Sequence, residues 1–341
     1  MTRPTVLLVY GGESPEHDVS IMSARNIYAA MDNAKYKVKL CYVDTHGKWW
    51  LLDDWPEDVA HHGGVQLVAA LGGKSFITIP GNSILHIDVI YPAIHGDTAE
   101  DGAIQGLAKL LHIPVVGSDV AAHAAGWNKL WTKQLLEVSG IPIVPYRVYR
   151  KGGEMPSFSV CTRELGADVL FVKPTQAGSS IGVSRVTTAN EFTQALKLAA
   201  KYSDTVLIEK VIVGRELEVA VLGNPPHHKT SDVGEIVPKD GFYSYEEKYA
   251  ATSQTLVYSH AKLTDVMRKK IRRIAHDTFQ ILECRGLARV DFLMNEDGVL
   301  YVNEINTLPG FTNISQYPKL WHEQGVKYPQ LIDKLIHLAL Q

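Results

Sequence analysis

The stretch "ARVDFLMNEDGVLYVNEIN", residues 288–306, carries the signal on which the fold turns. Its centre, Asp297-Gly298, is a strong short-range hairpin signal, so residues 288–294 and 299–306 are predicted to pair antiparallel. A two-residue turn there sets Asp291 opposite Glu304 and Arg289 opposite Asn306. A turn one residue earlier moves the partners and keeps the parity. Because side chains alternate between faces, the four polar groups share one face in either register. Val290, Phe292 and Ile305 take the other, core-side face, on which Asn303 is an oddity. Two carboxylates and a carboxamide are hard oxygen ligands suited to magnesium, and a neighbouring arginine suits phosphate or a developing oxyanion. A cross-strand ion pair on a solvated face is the competing reading of this segment taken alone.

Magnesium takes one or two carboxylates and fills its remaining positions with substrate phosphates, so a phosphate grip elsewhere would complete the site. "FVKPTQAGSSIGVSRV", residues 171–186, can supply one. A strand ends at Lys173-Pro174, and Gly178, Ser179, Ser180 and Gly182 follow closely. Glycines let backbone amides approach an anion, serines add hydroxyl donors, and Lys173 adds a point charge. The order G-x-x-x-x-G-K-[ST] is absent, so this is no Walker loop, and a Gly-Ser loop alone is more often an ordinary turn. Lys129, Lys210 and Lys248 read singly as solvated charges. Combined with two ligand-bearing strands, they point to a nucleoside triphosphate.

The 341 residues are enough for two or three compact units with a sizeable core. A composition of 45% hydrophobic and 21% charged residues is that of a globular chain. A net charge of -3 argues against a nucleic-acid surface. Cys41, Cys161 and Cys284 lie far apart without metal-ligand spacing, which suits a reducing cytoplasm. No apolar run reaches the ~18 residues of a membrane span, and the N-terminus reads as untargeted.

Toward the N-terminus, strand signals at 6–10, 38–42, 87–94 and 114–117 alternate with helical ones, which predicts an open, mostly parallel sheet. Ligands of such sheets gather at the carboxyl ends of the strands, here residues 11–16 and 95–102. A helix is expected at 128–138 and another after the capping box Thr188/Glu191. Strands at 206–212 and 216–223 meet at a joint near Gly214. Residues 224–260 read as a polar stretch of little periodicity, more often a lid than filler. A long helix is expected at 264–282.

The assembled motifs identify a resemblance. The chain resembles the ATP-grasp ligases, and among them the D-alanine-D-alanine ligases, over nearly its whole length. The matching segments are "GGESPEHDVS" (11–20), "HGDTAEDGAIQGL" (95–107), "NKLWTKQLL" (128–136), "VKPTQAGSSIGVS" (172–184), "EKVIVGRELEVAVLGN" (209–224), "FYSYEEKY" (242–249) and the run 288–321. Seven segments in family order are highly specific. The resemblance implies an α/β chain, α+β in its ATP-binding part, with three units: 1–118 for substrate, a central 119–213, and 214–341 carrying the lid 224–260. It implies ATP and two magnesium ions, with manganese as a substitute, and a peptidoglycan-precursor role in a bacterial cytoplasm as a homodimer, with no nucleic-acid or membrane partner. By similarity Glu209, Lys210, Ile212 and Glu216 surround adenine and ribose, while Lys129, Lys173 and Ser180 face the phosphates. Asp291, Glu304 and Asn306 are the implied metal ligands. Glu16 is implied for the first D-alanine's ammonium, near Val19 and His95, and Ser179 and Tyr249 join it in a trio. Arg289 and the Gly310 amide are implied as oxyanion donors, Lys248 as a phosphate contact, and Ser315 as the neighbour of the second substrate's carboxylate.

Three positions depart from the family pattern: Ala99 for a glycine, Asn128 for an aspartate, and Ala177 for a larger residue. None removes a proposed catalytic group, and Ala99 matters only if its backbone needs a positive φ. Within the family, D-lactate or D-serine as second substrate is the alternative, which the lid sequence "SYEEKY" disfavours against D-lactate. A non-catalytic ATP-binding regulator is a different class, disfavoured because a binding module needs no oxyanion donor.

Overall fold

A computed structural model of the chain describes residues 3–56, 64–237 and 256–341. Among the described residues, three sheets organise the chain. The first begins with β1 (Thr5–Gly11), α1 (His17–Ala30) and β2 (Lys37–Val43), runs through β3 (Trp49–Leu52), β4 (Val65–Ala70), β5 (Ser75–Ile79) and β6 (Ile84–His86), and returns to β7 (Val89–Pro92). Its order is β6-β5-β4-β3-β2-β1-β7. The apolar run "VLLVY" is buried on both faces, as expected of a central parallel strand. Leu7 and Val9 face Ile90, Ile104 and Leu111, while Val6, Leu8 and Tyr10 face α1 and the C-terminal helix.

The parallel part of this sheet, β2-β1-β7, is smaller than the sequence suggests, because β3 to β6 extend it antiparallel. The links between these strands are short, and a parallel pairing needs a crossover of a dozen or more residues. Residues 114–117 form only a single parallel bridge, Val115 to Ile90, instead of a strand.

Three helices follow: α2 (Ala103–Leu111), α3 (Val120–Trp127) and α4 (Lys129–Val138). The second sheet, antiparallel and ordered β10-β9-β11-β8, contains β8 (Tyr146–Arg150), β9 (Leu170–Pro174), β10 (Ser184–Val186) and β11 (Thr205–Lys210). Helices α5 (Phe158–Leu165) and α6 (Ala189–Ala199) cover it, burying Cys161, Phe192 and Leu196 against Val172 and Ile208. The capping box at Thr188 and Glu191 opens α6.

The third sheet is ordered β14-β13-β12-β15-β16. Its strands are β12 (Gly214–Gly223), β13 (Lys229–Val237), β14 (Leu256–Tyr258), β15 (Gly286–Asn295) and β16 (Leu300–Asn306). Part of the expected lid therefore belongs to the sheet: β13 and β14 flank its centre, residues 238–255, which lies outside the described residues. The long helix α7 (Asp265–Ile281), capped by Thr264, packs Ile271, Ala275 and Phe279 against Leu217, Val219 and Val290. Burial of each such side chain contributes ~1.5–3 kcal/mol.

Two short sequences close the molecule, α8 (Gln316–His322) and α9 (Tyr328–Ala339). Leu331, Leu335 and Ile336 of α9 are buried in the core shared with β1. At its edge Tyr36 donates to Asp333 at 2.8 Å and Lys35 pairs with the same carboxylate at 3.1 Å. All three cysteines are free and buried. Among the described residues, no helix is long and apolar enough to cross a membrane.

Candidate active site

The hairpin of β15 and β16 pairs Arg289 with Asn306 and Asp291 with Glu304, the expected partners, by an unexpected route. The turn holds three residues, 296–298: the Gly298 and Asn295 amides bond the Asn295 and Val299 carbonyls, both at 3.0 Å, and Gly298 takes a φ of 77°. This shifts Phe292, Leu293 and Met294 by one position, onto Val302, Tyr301 and Leu300. A bulge at Asn303 then restores the register. It also removes the oddity noted in the sequence, because Val302 and Ile305 are buried while Asn303 joins Glu304 on the wall of the cleft.

On the other side of β15, Glu218 of β12 is in register with Asp291. Glu218, Asp291 and Glu304 thus form a row across three adjacent strands, spaced by ~4.8 Å per strand. Glu218 carries no signal in the sequence except its period-two spacing from Glu216. The Arg289 Nε and Nη2 groups donate to the two Asp291 carboxylate oxygens, each at 2.7 Å, and Nε lies 3.2 Å from Glu218 Oε1. Burial opposes the guanidinium charge, but Asp291 and Glu218 outweigh it and keep it charged. Among the described residues, no hydrogen bond takes its Nη1 group, which leaves donors for a ligand.

The phosphate grip is built on β9 and α4. Asn128 caps α4, its side chain accepting from the Leu130 and Trp131 amides at 3.1 and 3.2 Å. That is the capping work an aspartate would do, so this departure keeps the helix start. Lys129 then reaches the Ala177 carbonyl at 3.0 Å and Glu304 at 3.3 Å. Ala177 uses its backbone there, so a small side chain suffices. Lys173 pairs with Glu209 at 2.6 Å, and Lys133, which the sequence reading passed over, pairs with the other Glu209 oxygen at 2.8 Å. Glu209 is buried; burial would raise its pKa, but the two ammonium groups hold it below the ordinary carboxylate value.

The third wall comes from the first sheet. The Ser179 hydroxyl donates to Glu16, joining residues 163 positions apart. Ser179 and Ser180 both take left-handed φ angles, 48° and 61°, a conformation costing on the order of 1 kcal/mol or more for a non-glycine residue. His95 lies 3.8 Å from Glu100 and bonds Ser23 at 3.0 Å. Burial lowers its pKa, yet Glu100 and Glu16 outweigh that and raise it. Burial, with Asp101 and Glu16, raises the Asp97 pKa, and burial with Glu16 raises that of Glu100. Negative charge therefore accumulates around Glu16, the surroundings a substrate ammonium would relieve. Ala99 is buried without a positive φ; its neighbour Thr98 takes the left-handed conformation, so alanine fits there unstrained.

These walls enclose one cleft of about 760 Å³. Glu16, Val19, His95, Lys129, Lys173, Ser179, Ser180, Glu209, Lys210, Ile212, Glu216, Arg289, Asp291, Glu304, Asn306, Gly310 and Ser315 all line it. Lys248 and Tyr249 lie outside the described residues. Ser315 accepts from the Thr312 amide at 2.9 Å, and a Cβ at Gly310 would come 2.8 Å from its hydroxyl, so a larger residue there would displace the Ser315 side chain. Among the described residues, no three histidine, cysteine or acidic side chains converge into a closed metal cage. The donor set nevertheless suits magnesium: two carboxylates and a carboxamide share the cleft wall, and magnesium completes its shell from substrate phosphates and water.

The chain is similar to known proteins in sequence and in fold. Residues 5–118 match the family model described as D-ala D-ala ligase N-terminus, and residues 135–337 match D-ala D-ala ligase C-terminus. The chain is 41% identical to a D-alanine–D-alanine ligase of Shouchella clausii, covering 100% of this chain and 96% of that one. It is 40% identical to D-alanine–D-alanine ligase A of Escherichia coli K12, covering 100% and 97%. Among solved structures, the D-alanine-D-alanine ligase of Coxiella burnetii superimposes with a TM-score of 0.89 at 36% identity, over 100% of this chain and 94% of that one. The D-Ala:D-Ser ligase VanG of Enterococcus faecalis gives 0.87 at 29% identity, over 99% and 100%.

Proposed function

The chain belongs to the D-alanine–D-alanine ligase family, and from that premise we propose how its residues join two D-alanines at the expense of ATP. It is an ATP-dependent ligase of the ATP-grasp fold, and the dipeptide it makes serves peptidoglycan synthesis. The family uses ATP with a divalent metal. The observation that carries the residue assignment is the meeting, in one cleft, of the Glu16–Ser179 contact, the Lys129 and Lys173 grip, and the Arg289–Asp291–Glu304 row.

In the first step a carboxylate oxygen of the first D-alanine bonds to the γ-phosphorus while the bond to the leaving ADP oxygen breaks, producing an acyl phosphate. Glu16, backed by the neighbouring carboxylates, holds the ammonium and so aims the carboxylate. Lys129 and Lys173 neutralise the phosphates, and Asp291, Glu304 and Asn306 would hold two magnesium ions, which supply charge neutralisation at the transferring group. In the second step the amine of the second D-alanine, its carboxylate near Ser315, bonds to the acyl carbon, the carbon–oxygen bond to phosphate breaks, and the released phosphate takes up the proton lost from the nitrogen. Arg289 and the Gly310 amide donate to the oxyanion that develops on the way. Ser179 ties the Gly-Ser loop to Glu16 and so shields the acyl phosphate from water. Ser180 faces the phosphates; Glu209, Lys210, Ile212 and Glu216 surround the nucleoside; Val19 and His95 flank the first substrate. Lys248 and Tyr249 are assigned to the phosphates and to the Glu16–Ser179 trio by similarity.

The working units in this reading are 1–118, 119–213 and 214–341, in a cytoplasmic homodimer. The decisive assay measures phosphate release with magnesium-ATP and D-alanine alone, L-alanine alone, or D-alanine with D-lactate or D-serine, with products identified by mass. Dipeptide from D-alanine alone is expected. Preferential mixed product with D-serine or D-lactate would move the chain to the alternative ligases, a live comparison because the VanG fold matches nearly as well. ATP binding without turnover of any D-acid would favour the non-catalytic reading.

A further inference from the structure

Lys133 is a buried cation beside the cleft that the proposed mechanism leaves unused. It lies on α4 one turn beyond Lys129, with its side chain 1% exposed, so it cannot touch a ligand in the cleft. Its ammonium is held by Glu209 at 2.8 Å, by the Val144 carbonyl at 3.3 Å, and over the Tyr146 ring at 5.6 Å. Glu209 gives its second oxygen to Lys173 at 2.6 Å. One buried carboxylate therefore serves two ammonium groups, of which only that of Lys173 reaches the cleft.

Burying an ammonium is expensive unless it is paired, so a lysine in this place demands a reason beyond packing. Charge arithmetic supplies one. Lys133, Glu209 and Lys173 together carry a net +1. Without Lys133, Glu209 would cancel Lys173 and the cluster would be neutral toward the phosphates. We propose that Lys133 is a positioning residue for nucleotide binding: by neutralising Glu209 from behind, it leaves the charge and N–H donors of Lys173 to the ATP phosphates. Burial and the Lys173 charge pull the Lys133 amine below its ordinary pKa, against the pull of Glu209, as expected where two cations share one anion. The inference rests on the nucleotide reading above and deepens it.

The test compares ATP and adenosine binding by calorimetry at fixed ionic strength, because adenosine lacks the phosphates and reports the nucleoside contacts alone. In Lys133→Met, ATP affinity should fall roughly tenfold or more while adenosine affinity stays within about threefold, since one unit charge is removed behind the phosphate grip. In the double variant Lys133→Met/Glu209→Gln the net +1 returns, and the ratio of ATP to adenosine affinity should recover toward that of the unmodified protein. Lys133→Gln, which keeps an amide for Glu209, gives the same reading should methionine prevent folding. Unchanged ATP affinity, equal loss of both ligands, or a double variant no better than the single one would each overturn the inference. A wild-type protein that binds neither ligand would overturn the nucleotide reading itself, which the other outcomes leave standing.

Discussion

His123 ties the active-site loop to the acid stability of the molecule. It is fully buried on α3, and its Nδ1 lies 2.7 Å from the hydroxyl of Thr307, the residue after Asn306. Burial, opposed only by Asp119, pushes its pKa down to about 3, whereas an unfolded histidine titrates near 6.5. Between those values the unfolded chain binds a proton at this site and the folded one does not. Stability from this residue is therefore complete above pH ~6.5 and falls as the pH drops toward about 3. The slope is about 1.4 kcal/mol per pH unit once well below 6.5, so moving to pH 5 costs roughly 2 kcal/mol of a total that is typically 5–15. Urea denaturation at pH 7.5 and 5.0 should show His123→Gln losing about 2 kcal/mol less than the unmodified protein between the two. In a histidine-labelled sample, the His123 ring resonance, assigned by its absence in the variant, should not titrate above pH 5. A midpoint between pH 5 and 7 for that resonance would refute the argument, as would equal acid sensitivity of the two proteins.

Three further perturbations separate chemistry from scaffold. Arg289→Lys keeps a cation but loses the planar fork that Asp291 holds, so kcat should fall about 10²–10³-fold with ATP affinity within about threefold; a rate close to the original would remove Arg289 from the chemistry. Glu304→Gln removes a proposed ligand and the partner of Lys129, so the magnesium concentration for half-maximal activity should rise roughly tenfold or more, and an unchanged requirement would mean that the metal sits elsewhere. Gly214→Ala places a Cβ 2.1 Å from the Met294 carbonyl at a φ of 152°, so the strand pair must yield; a loss of about 1–3 kcal/mol is expected in thermal or urea unfolding, and wild-type stability would show that the close approach imposes no constraint.

Much of the scaffold was legible because it is local. The buried run 6–10, the capping box at Thr188 and the amphipathic helix ending near Leu282 are each set by residues within a few positions of one another. The meander β3 to β6 was not, because short antiparallel strands at a sheet edge have weak periodicity and depend on their neighbours for pairing. For the same reason β13 hid in a polar stretch: it is stabilised by its ladder to β12 more than by its own pattern. Within the site, the motif-bearing residues could be read from the chain, while Glu218 and Lys133 could not. Their significance lies in partners on other elements, Asp291 and Arg289 for the first and Glu209 for the second.

The hairpin marks the boundary most clearly. The order of residues alone determined that Arg289, Asp291, Glu304 and Asn306 would share a face, because alternation along a strand is a property of the backbone. Whether the register survived a three-residue turn was decided by the bulge at Asn303, which answers to the packing of Val302 and Ile305 beneath it. The contact between Glu16 and Ser179 likewise has no local cause. It joins the rim of the first sheet to a loop of the second across 163 positions, a juxtaposition set by how separate elements are placed and contained in no segment.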